Sequence, residues 1–127
     1  MVGKILLFVE SRYKVNRKRI KSVIEDSLKK QGIVSPFEVS ISIVGDRKMK
    51  ALNKKYREKD KTTNVLSFPL GEGKDSGLPD DVLYLGDIVI SYPQVIREAA
   101  EEDVLVDDKI DELAEHGLLH LLGIHHE

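Results

Sequence analysis

The stretch that decides the fold is Phe37-Glu-Val-Ser-Ile-Ser-Ile43, in which apolar and polar side chains alternate. Alternation with a period of two places the apolar side chains on one face of an extended chain. Residues 37–43 are therefore predicted to form a half-buried β-strand. Gly45 and Asp46 follow as a turn, so the strand is bounded on its C-terminal side.

On the N-terminal side of this strand, the sequence predicts a strand and then a helix. Residues 4–9 are mainly apolar with charged neighbours, which is typical of a strand, and residues 14–30 carry apolar side chains at mostly helical spacing. The outer face of that helix is basic near its start, and Gly32 is placed to close it. After the turn, Asp46 is predicted to be the N-cap of a second basic helix whose apolar positions are Met49, Leu52 and Tyr56.

The C-terminal half continues with two strands and two helices. Residues 64–68 predict a short strand ended by Pro69, residues 71–81 a loop rich in Gly, Asp and Pro, and residues 83–91 a further strand. Pro93 marks the start of a helix, and a final helix is predicted from Asp107 or Asp108 to a stop at Gly123. Its expected buried stripe is Ile110, Leu113, Ala114, Gly117 and Leu121. The element order predicts an α+β fold, with a small mixed sheet of about four strands packed against helices.

Length and composition bound the protein class. A chain of 127 residues with 41% hydrophobic content is the size of one domain, so residues 1–127 are predicted to form a single domain. The absence of cysteine excludes a disulfide framework and a cysteine-ligated metal site. The first apolar run is too short for a signal peptide or a membrane span. We therefore expect a soluble, cytoplasmic protein with no membrane partner.

The charge is unevenly distributed along the chain, although the formal net charge is only −2. Residues 1–62 contain 17 Lys and Arg against 7 Asp and Glu, a net charge of +10. Residues 63–127 contain 3 Lys and Arg against 15 Asp and Glu, a net charge of −12. The basic half is suited to meeting phosphates, which suggests a nucleic-acid partner. The alternative is that the two halves present solvated surfaces that attract each other in the fold.

The four histidines all lie within the last twelve residues and suggest a metal site. His116 and His120 are four apart on the predicted final helix, so their imidazoles leave one face about one turn apart. His126 follows the glycine stop, after which the chain can turn back towards the same ion. Three neutral imidazoles leave a fourth position free, the arrangement in which zinc lowers the pKa of a bound water to about 7. The alternative is that the helical pair is simply solvated.

The residues between the first two histidines argue against peptidase chemistry. Gly117, Leu118 and Leu119 lie between these histidines, so the glutamate that serves as general base in the H-E-x-x-H metalloproteases is absent. Gly117 permits either close approach of another segment to the metal or tight packing of helix on strand. Glu115 is predicted to point about 100° away from His116 around the helix, so it is not a convincing base.

Three segments of the chain resemble the YbeY endoribonuclease family of ribosomal RNA maturation factors. They are His116-Gly-Leu-Leu-His-Leu-Leu-Gly-Ile-His-His126, Thr63-Asn-Val-Leu-Ser-Phe-Pro69 and Leu85-Gly-Asp-Ile-Val-Ile-Ser91, in the family's order. The resemblance runs from about Leu52 to the end of the chain. The family usually has an aromatic residue and Asp before its third histidine, where this chain has Ile124 and His125. His125 makes the third ligand ambiguous, and the family's register selects His126.

The resemblance implies a single-strand-specific endoribonuclease that matures the 3′ end of small-subunit ribosomal RNA and acts in ribosome quality control. Arg57 matches the family's functional arginine, and its planar fork suits phosphate better than lysine would. Arg57 and His116 are therefore the predicted catalytic residues, and His116, His120 and His126 the predicted ligands of one Zn²⁺. Nickel or cobalt would suit three imidazoles too. Asn64, where the family has Asp or Asn, is expected to have a turn or hydrogen-bonding role.

Partners follow from the same resemblance and from the charge. We expect ribosomal RNA, with ribosomal proteins or assembly factors, and we predict RNA contacts at Arg17, Lys18, Arg19, Lys48, Lys55 and Arg57. Two alternatives stay open. One is a metzincin-like metallopeptidase, because three histidines around a glycine stop occur there too. The other is a noncatalytic assembly factor whose basic face binds RNA while the metal only holds the C-terminus.

Overall fold

The computed structural model describes residues 3–70 and 81–124. In chain order its elements are β1 (Gly3–Val9), α1 (Arg17–Lys30), β2 (Phe37–Val44), α2 (Asp46–Arg57), β3 (Val65–Pro69), β4 (Leu83–Ser91), α3 (Tyr92–Glu102) and α4 (Val106–Leu121). Over the described ranges this confirms the predicted α+β class and the four strands. Apart from Asp81, the predicted loop at 71–81 lies outside the described residues.

The four strands form one mixed sheet in the order β1-β2-β4-β3. β1, β2 and β4 run parallel, while β3 pairs with β4 in the antiparallel direction, with Leu66 opposite Val89 and Ser67 opposite Ile88. β3 is therefore an edge strand of this sheet, and elements on either face can meet around it.

Because side chains alternate along the strands, the hydrophobic core consists of two clusters on opposite faces of the sheet. Ile88 and Ile90 of β4 belong to the larger core cluster, which they share with the apolar stripes of α1, α3 and α4. Val89, between them, belongs to a smaller cluster with Leu66 of β3 and Met49 of α2. Helices α1, α3 and α4 therefore cover one face, whereas α2 packs on the other.

The helix N-termini differ from the sequence prediction at α1 and α2, and α4 begins at Val106, just before the predicted Asp107 or Asp108. α1 begins at Arg17 rather than Lys14, because the Asn16 side chain accepts a hydrogen bond from the Arg19 amide at 3.0 Å and caps the helix there. Asp46 is not the N-cap of α2. Gly45 occupies that position, and Asp46 is the first helical residue.

The predicted helix stops are confirmed, and so is the buried face of the last helix. Gly32 and Gly123 both adopt positive φ just beyond α1 and α4, a conformation that favours glycine. All five predicted stripe residues of α4 are buried. None of the helices in the described ranges is long and apolar enough to cross a membrane.

Candidate active-site cleft

A cleft of about 550 Å³ surrounds the edge strand β3. Its walls come from the end of α2, from the segment through β3, and from α4. The lining residues are Tyr56, Arg57, Thr63, Asn64, Val65, Leu66, Ser67, Phe68, His116 and His120. Within β3, Val65 packs with the larger core and Leu66 with the smaller one, so the strand separates the two walls.

His116 and His120 form the α4 wall. Their ring centroids are 4.5 Å apart with an interplanar angle of 47°. His116 is exposed and His120 is half-buried. The sequence prediction that this pair projects from one helix face is borne out by the shared cleft, since i and i+4 positions lie one above the other.

Gly117 fixes how closely α4 approaches the sheet. A Cβ at this position would lie 2.8 Å from Ile88 Cγ2 and 3.2 Å from Ser67 Oγ. The Ser67 hydroxyl also donates to the Gly117 carbonyl at 3.2 Å. Of the two roles considered for Gly117, the geometry supports tight packing of helix on strand, which holds the histidine pair against β3.

Arg57 forms the opposite wall, at the last position of α2. The chain turns immediately after it, because Glu58 adopts the left-handed conformation with φ 58° and its amide donates to carbonyls of the last helical turn. Arg57 is exposed and forms no salt bridge within residues 3–70 and 81–124. Its guanidinium is therefore available to an anion in the cleft.

The histidine pair fits two ligands of one ion. With zinc–nitrogen bonds of about 2 Å, two imidazoles on a tetrahedral ion have ring centres about 5 Å apart, close to the observed separation. The third predicted ligand, His126, and its alternative, His125, lie outside the described residues. Within residues 3–70 and 81–124, no three His, Cys, Asp or Glu side chains gather as a metal site would require.

Asn64 enters the cleft from the segment before β3 and is held at two points. Its main-chain carbonyl accepts from the Ser91 amide at 2.9 Å, and its Nδ2 donates to Glu98 Oε1 at 3.0 Å. The expected hydrogen-bonding role is therefore confirmed. The partner Glu98, on α3, was not identified from the sequence, because nothing local links residues 34 positions apart.

Glu98 is itself held as a carboxylate. Gln94 Nε2 donates to Glu98 Oε2 at 3.1 Å, and Lys109 Nζ lies 3.5 Å from Glu98 Oε1. Burial raises the pKa of Glu98, but the hydrogen bonds from Asn64 and Gln94 and the charge of Lys109 outweigh it, so the net shift is downward. Glu98 therefore stays ionised and accepts hydrogen bonds.

Tyr56 is an exposed aromatic side chain at the rim of the cleft. The sequence placed it on the apolar stripe of α2, but 55% of it is accessible. It meets Phe68 edge to face with ring centroids 5.1 Å apart, and Lys55 Nζ lies 5.1 Å from its ring centroid. Tyr56, expected at an apolar position of α2, is therefore exposed, and its ring lines the rim beside Arg57.

The six residues predicted to contact RNA fall on opposite faces of the sheet. Lys48, Lys55 and Arg57 lie on α2, whereas Arg17, Lys18 and Arg19 lie on α1. Two of the α1 side chains have intramolecular partners. Arg17 donates to the Leu7 carbonyl at 3.1 Å, and Arg19 pairs with Asp108 and, at 2.7 Å, with Asp111. RNA contact by these residues stays a prediction, and of the six only Arg57 lines the cleft.

Glu115 points away from the cleft, as its helical position predicts. Its Oε2 accepts a hydrogen bond from Ser27 of α1 at 2.9 Å. This contact belongs to the packing of α1 against α4, so Glu115 is not placed to act as a base at the histidine pair.

An α+β sheet with an arginine and a histidine pair around its edge strand defines a candidate hydrolase site. The model of the family described as "Endoribonuclease YbeY" matches residues 8–127, and the chain therefore belongs to the YbeY endoribonuclease family. This confirms the resemblance noted in its motifs.

Individual relatives agree with the family match. The chain is 43% identical over 99 residues to an Endoribonuclease YbeY of Magnetococcus marinus, covering 74% of this chain and 67% of that protein. It is 39% identical over 126 residues to an Endoribonuclease YbeY of Acinetobacter baumannii, covering 94% of this chain and 76% of that protein. A solution structure of a Thermotoga maritima protein is similar with a TM-score of 0.60 and 29% identity, covering 97% of this chain and 75% of that one.

Proposed function

We propose that this protein is a zinc-dependent endoribonuclease that cleaves single-stranded RNA. We further propose that its substrate is the 3′ end of small-subunit ribosomal RNA, that it acts in ribosome quality control in the cytoplasm, and that ribosomal proteins or assembly factors are partners. The family match supports ribonuclease activity. The metal, the strand preference and the ribosomal role are our inferences from the site and the resemblance.

The observation that carries the proposal is the convergence of Arg57 and the histidine pair on one cleft. A phosphodiester needs its developing negative charge neutralised, and the exposed guanidinium of Arg57 offers a planar fork for two phosphate oxygens. His116 and His120, together with His126, would hold the ion. When bound, a zinc ion supplies activation of water at neutral pH.

The size and charge of the surroundings favour a single strand. A cleft of about 550 Å³ is in the range of small-ligand sites and suits one or two unpaired nucleotides rather than a duplex. α2 leads to the cleft with Arg47, Lys48, Lys50, Lys54 and Lys55 before Arg57. Such a basic helix attracts the phosphate backbone independently of sequence.

The direct experiment is a cleavage assay on a short, end-labelled single-stranded RNA. The protein is tested as purified, after chelation, and after chelation followed by added zinc, with a duplex of the same sequence in parallel. We expect cleavage of the single strand that chelation abolishes and zinc restores, with little cleavage of the duplex.

Three results would contradict the proposal. Cleavage that survives chelation of all bound metal excludes metal dependence. RNA binding without cleavage under every metal condition supports the noncatalytic assembly factor, and digestion of casein without RNA cleavage supports the metallopeptidase. Arg57→Ala serves as the control for contaminating ribonuclease, because a contaminant is unaffected by the substitution.

A further inference from the structure

The orientation of the Asn64 side chain in the cleft is determined by its partner. Glu98 is held in its ionised form and can only accept hydrogen bonds, so the amide must present its nitrogen to Glu98 Oε1. The amide oxygen, Oδ1, therefore points away from Glu98. Within residues 3–70 and 81–124, no group donates a hydrogen bond to Oδ1.

Hydrogen bonds and ion pairs to Glu98 hold its carboxylate in place, and with it the orientation of the Asn64 amide. Gln94 and Lys109 both hold the Glu98 carboxylate. The Lys109 side chain is only 5% exposed, and its Nζ also contacts Glu102 at 2.8 Å and Glu112 at 2.7 Å. The Asn64 amide thus sits at the end of a chain of charged groups, which limits its rotation.

Asn64 Oδ1 is a hydrogen-bond acceptor of fixed orientation in a cleft where Arg57 can only donate. Arg57 offers only N–H groups, which suit phosphate oxygens. In RNA, the hydrogen-bond donor nearest to a phosphodiester is the ribose 2′-hydroxyl, and DNA lacks it. Arg57 and Asn64 line the same cleft, so a strand whose phosphate is held by Arg57 would present its 2′-hydroxyls to the cleft that Asn64 also lines.

We propose that Asn64 Oδ1 accepts a hydrogen bond from a ribose 2′-hydroxyl and that Glu98 is the positioning residue that aims it. This inference rests on the proposed function, because it requires an RNA strand in the cleft. It assigns to this pair the preference for RNA over DNA.

The test measures binding rather than cleavage, so that a role of the 2′-hydroxyl in the reaction does not interfere. Fluorescent octauridine and octa-2′-deoxyuridine are titrated into the protein in chelator, and the ratio of the two dissociation constants is the readout. Asn64→Ala should lower the preference for RNA about fivefold, the value of one typical hydrogen bond, while deoxy binding changes little. The surface variant Gln31→Ala, at an exposed position just beyond α1 and outside the cleft lining, should keep the wild-type ratio.

Variants of Glu98 distinguish an effect on the orientation of the Asn64 amide from an effect on protein stability. Glu98→Leu leaves Asn64 in place but frees its amide to rotate, so the RNA preference should fall. Glu98→Gln keeps an acceptor for Asn64 and should retain the preference. Thermal melting of each variant reports stability separately from the ratio.

Exchanging the amide and the carboxylate between positions 64 and 98 should restore the preference for RNA. Asn64→Asp alone sets two carboxylates against each other and should weaken the preference. Combined with Glu98→Gln, the new amide donates to Asp at position 64 and leaves a carboxylate oxygen towards the cleft, so the ratio should recover although overall affinity falls.

The outcomes are distinct. If Asn64→Ala keeps the wild-type ratio while the wild type prefers RNA, the inference is wrong and the proposed function stands. If the wild-type protein binds neither oligonucleotide and cleaves no RNA, the proposed function is wrong, and this inference falls with it.

Discussion

Arg57 and His116 lie on opposite faces of one sheet and line the same cleft, because the edge strand β3 lies between them. Neither α2 nor α4 crosses the sheet to reach the other. The cleft therefore depends on the position of β3, and each wall can be altered while the other stays in place.

Arg57 is predicted to stabilise the transition state rather than the fold. Arg57→Lys retains the charge but loses the planar fork, so single-stranded RNA cleavage should slow by a barrier of roughly 1 to 3 kcal/mol. Arg57→Ala should slow it further. The melting temperature should barely move, since Arg57 has no salt bridge in the described ranges. Lys30→Ala, at an exposed lysine at the end of α1, serves as the control, and wild-type rates in both Arg57 variants would refute the assignment.

The histidine cluster is predicted to bind one divalent ion. His120→Ala removes one of two adjacent imidazoles, so metal content after dialysis should fall well below that of the wild-type protein. His126→Ala should do the same, whereas His125→Ala should retain the metal. Elemental analysis of the four proteins checks this. Full metal content in His120→Ala would exclude the proposed site, and loss in His125→Ala instead of His126→Ala would exchange the third ligand.

Basic residues on α2 are predicted to contact a short RNA at the cleft. Replacing Lys48 and Lys55 by Gln should weaken binding of octauridine and flatten its salt dependence, by about 0.7 in slope for each phosphate that the protein no longer neutralises. Replacing Arg17 and Lys18 by Gln should have a smaller effect, because no residue of α1 lines the cleft. Equal effects of the two double variants would indicate that the RNA contacts both α1 and α2.

Gly117→Ala is predicted to destabilise the protein despite favouring a helix. Alanine stabilises a helix interior by about 1 kcal/mol relative to glycine. The added methyl would lie 2.8 Å from Ile88 Cγ2 in the core, and overpacking costs about 1 to 3 kcal/mol. The clash should dominate, which urea unfolding can measure. A more stable variant would show that α4 can move away from β4 at little cost.

Asp46 is predicted to stabilise the fold at neutral pH and not in acid. Burial raises its pKa, but hydrogen bonds from Arg97, Ser91 and Thr62 outweigh it, so the pKa is lowered on folding. A lowered carboxyl pKa contributes stability above its unfolded value of about 3.9, and this contribution disappears as pH falls through the folded value. Asp46→Asn should cost about 1 kcal/mol at pH 7, because the ion pair is partly exposed.

The pH dependence of that difference is the decisive measurement. The gap in unfolding free energy between wild type and Asp46→Asn should shrink below about pH 4. Asp60→Asn, at an exposed carboxylate with only a 3.8 Å contact to Lys50, should show neither effect. A gap that stays constant into acid would mean that packing, not charge, makes Asp46 stabilising.

The sequence predicted local structure well where one signal dominated. The limits of β4 agree with the prediction for residues 83–91, because an apolar run bounded by turn and helix signals leaves little choice. Asp46 was misplaced by one position, since Asn, Asp and Gly are all common N-caps and Gly45 adjoins it. The strand order was not predicted, because periodicity identifies a strand but not its neighbour.

The sequence identified the candidate site residues that belong to motifs, but not the residues that hold Asn64 in place. His116 and His120 were identified because their residue type and spacing point to a metal site, and Arg57 because its segment resembles the family. Glu98 and Lys109 carry no such signal, since acidic and basic residues on helices are usually solvated. Their burial results from the packing of α3 on α4, which brings together groups that are separate along the chain.

Because β3 is at the edge of the sheet, we expect the protein to lose activity before its core unfolds. Its five residues pair with β4 alone among the described strands, so fewer main-chain hydrogen bonds restrain it than restrain β2 or β4. Segments with few such restraints open at free energies well below that of global unfolding. Detachment of β3 would separate the two walls while β1, β2 and β4 remain paired. Inactivation by heat or urea would then precede the loss of the core, and would reverse as soon as this single strand returned to its register.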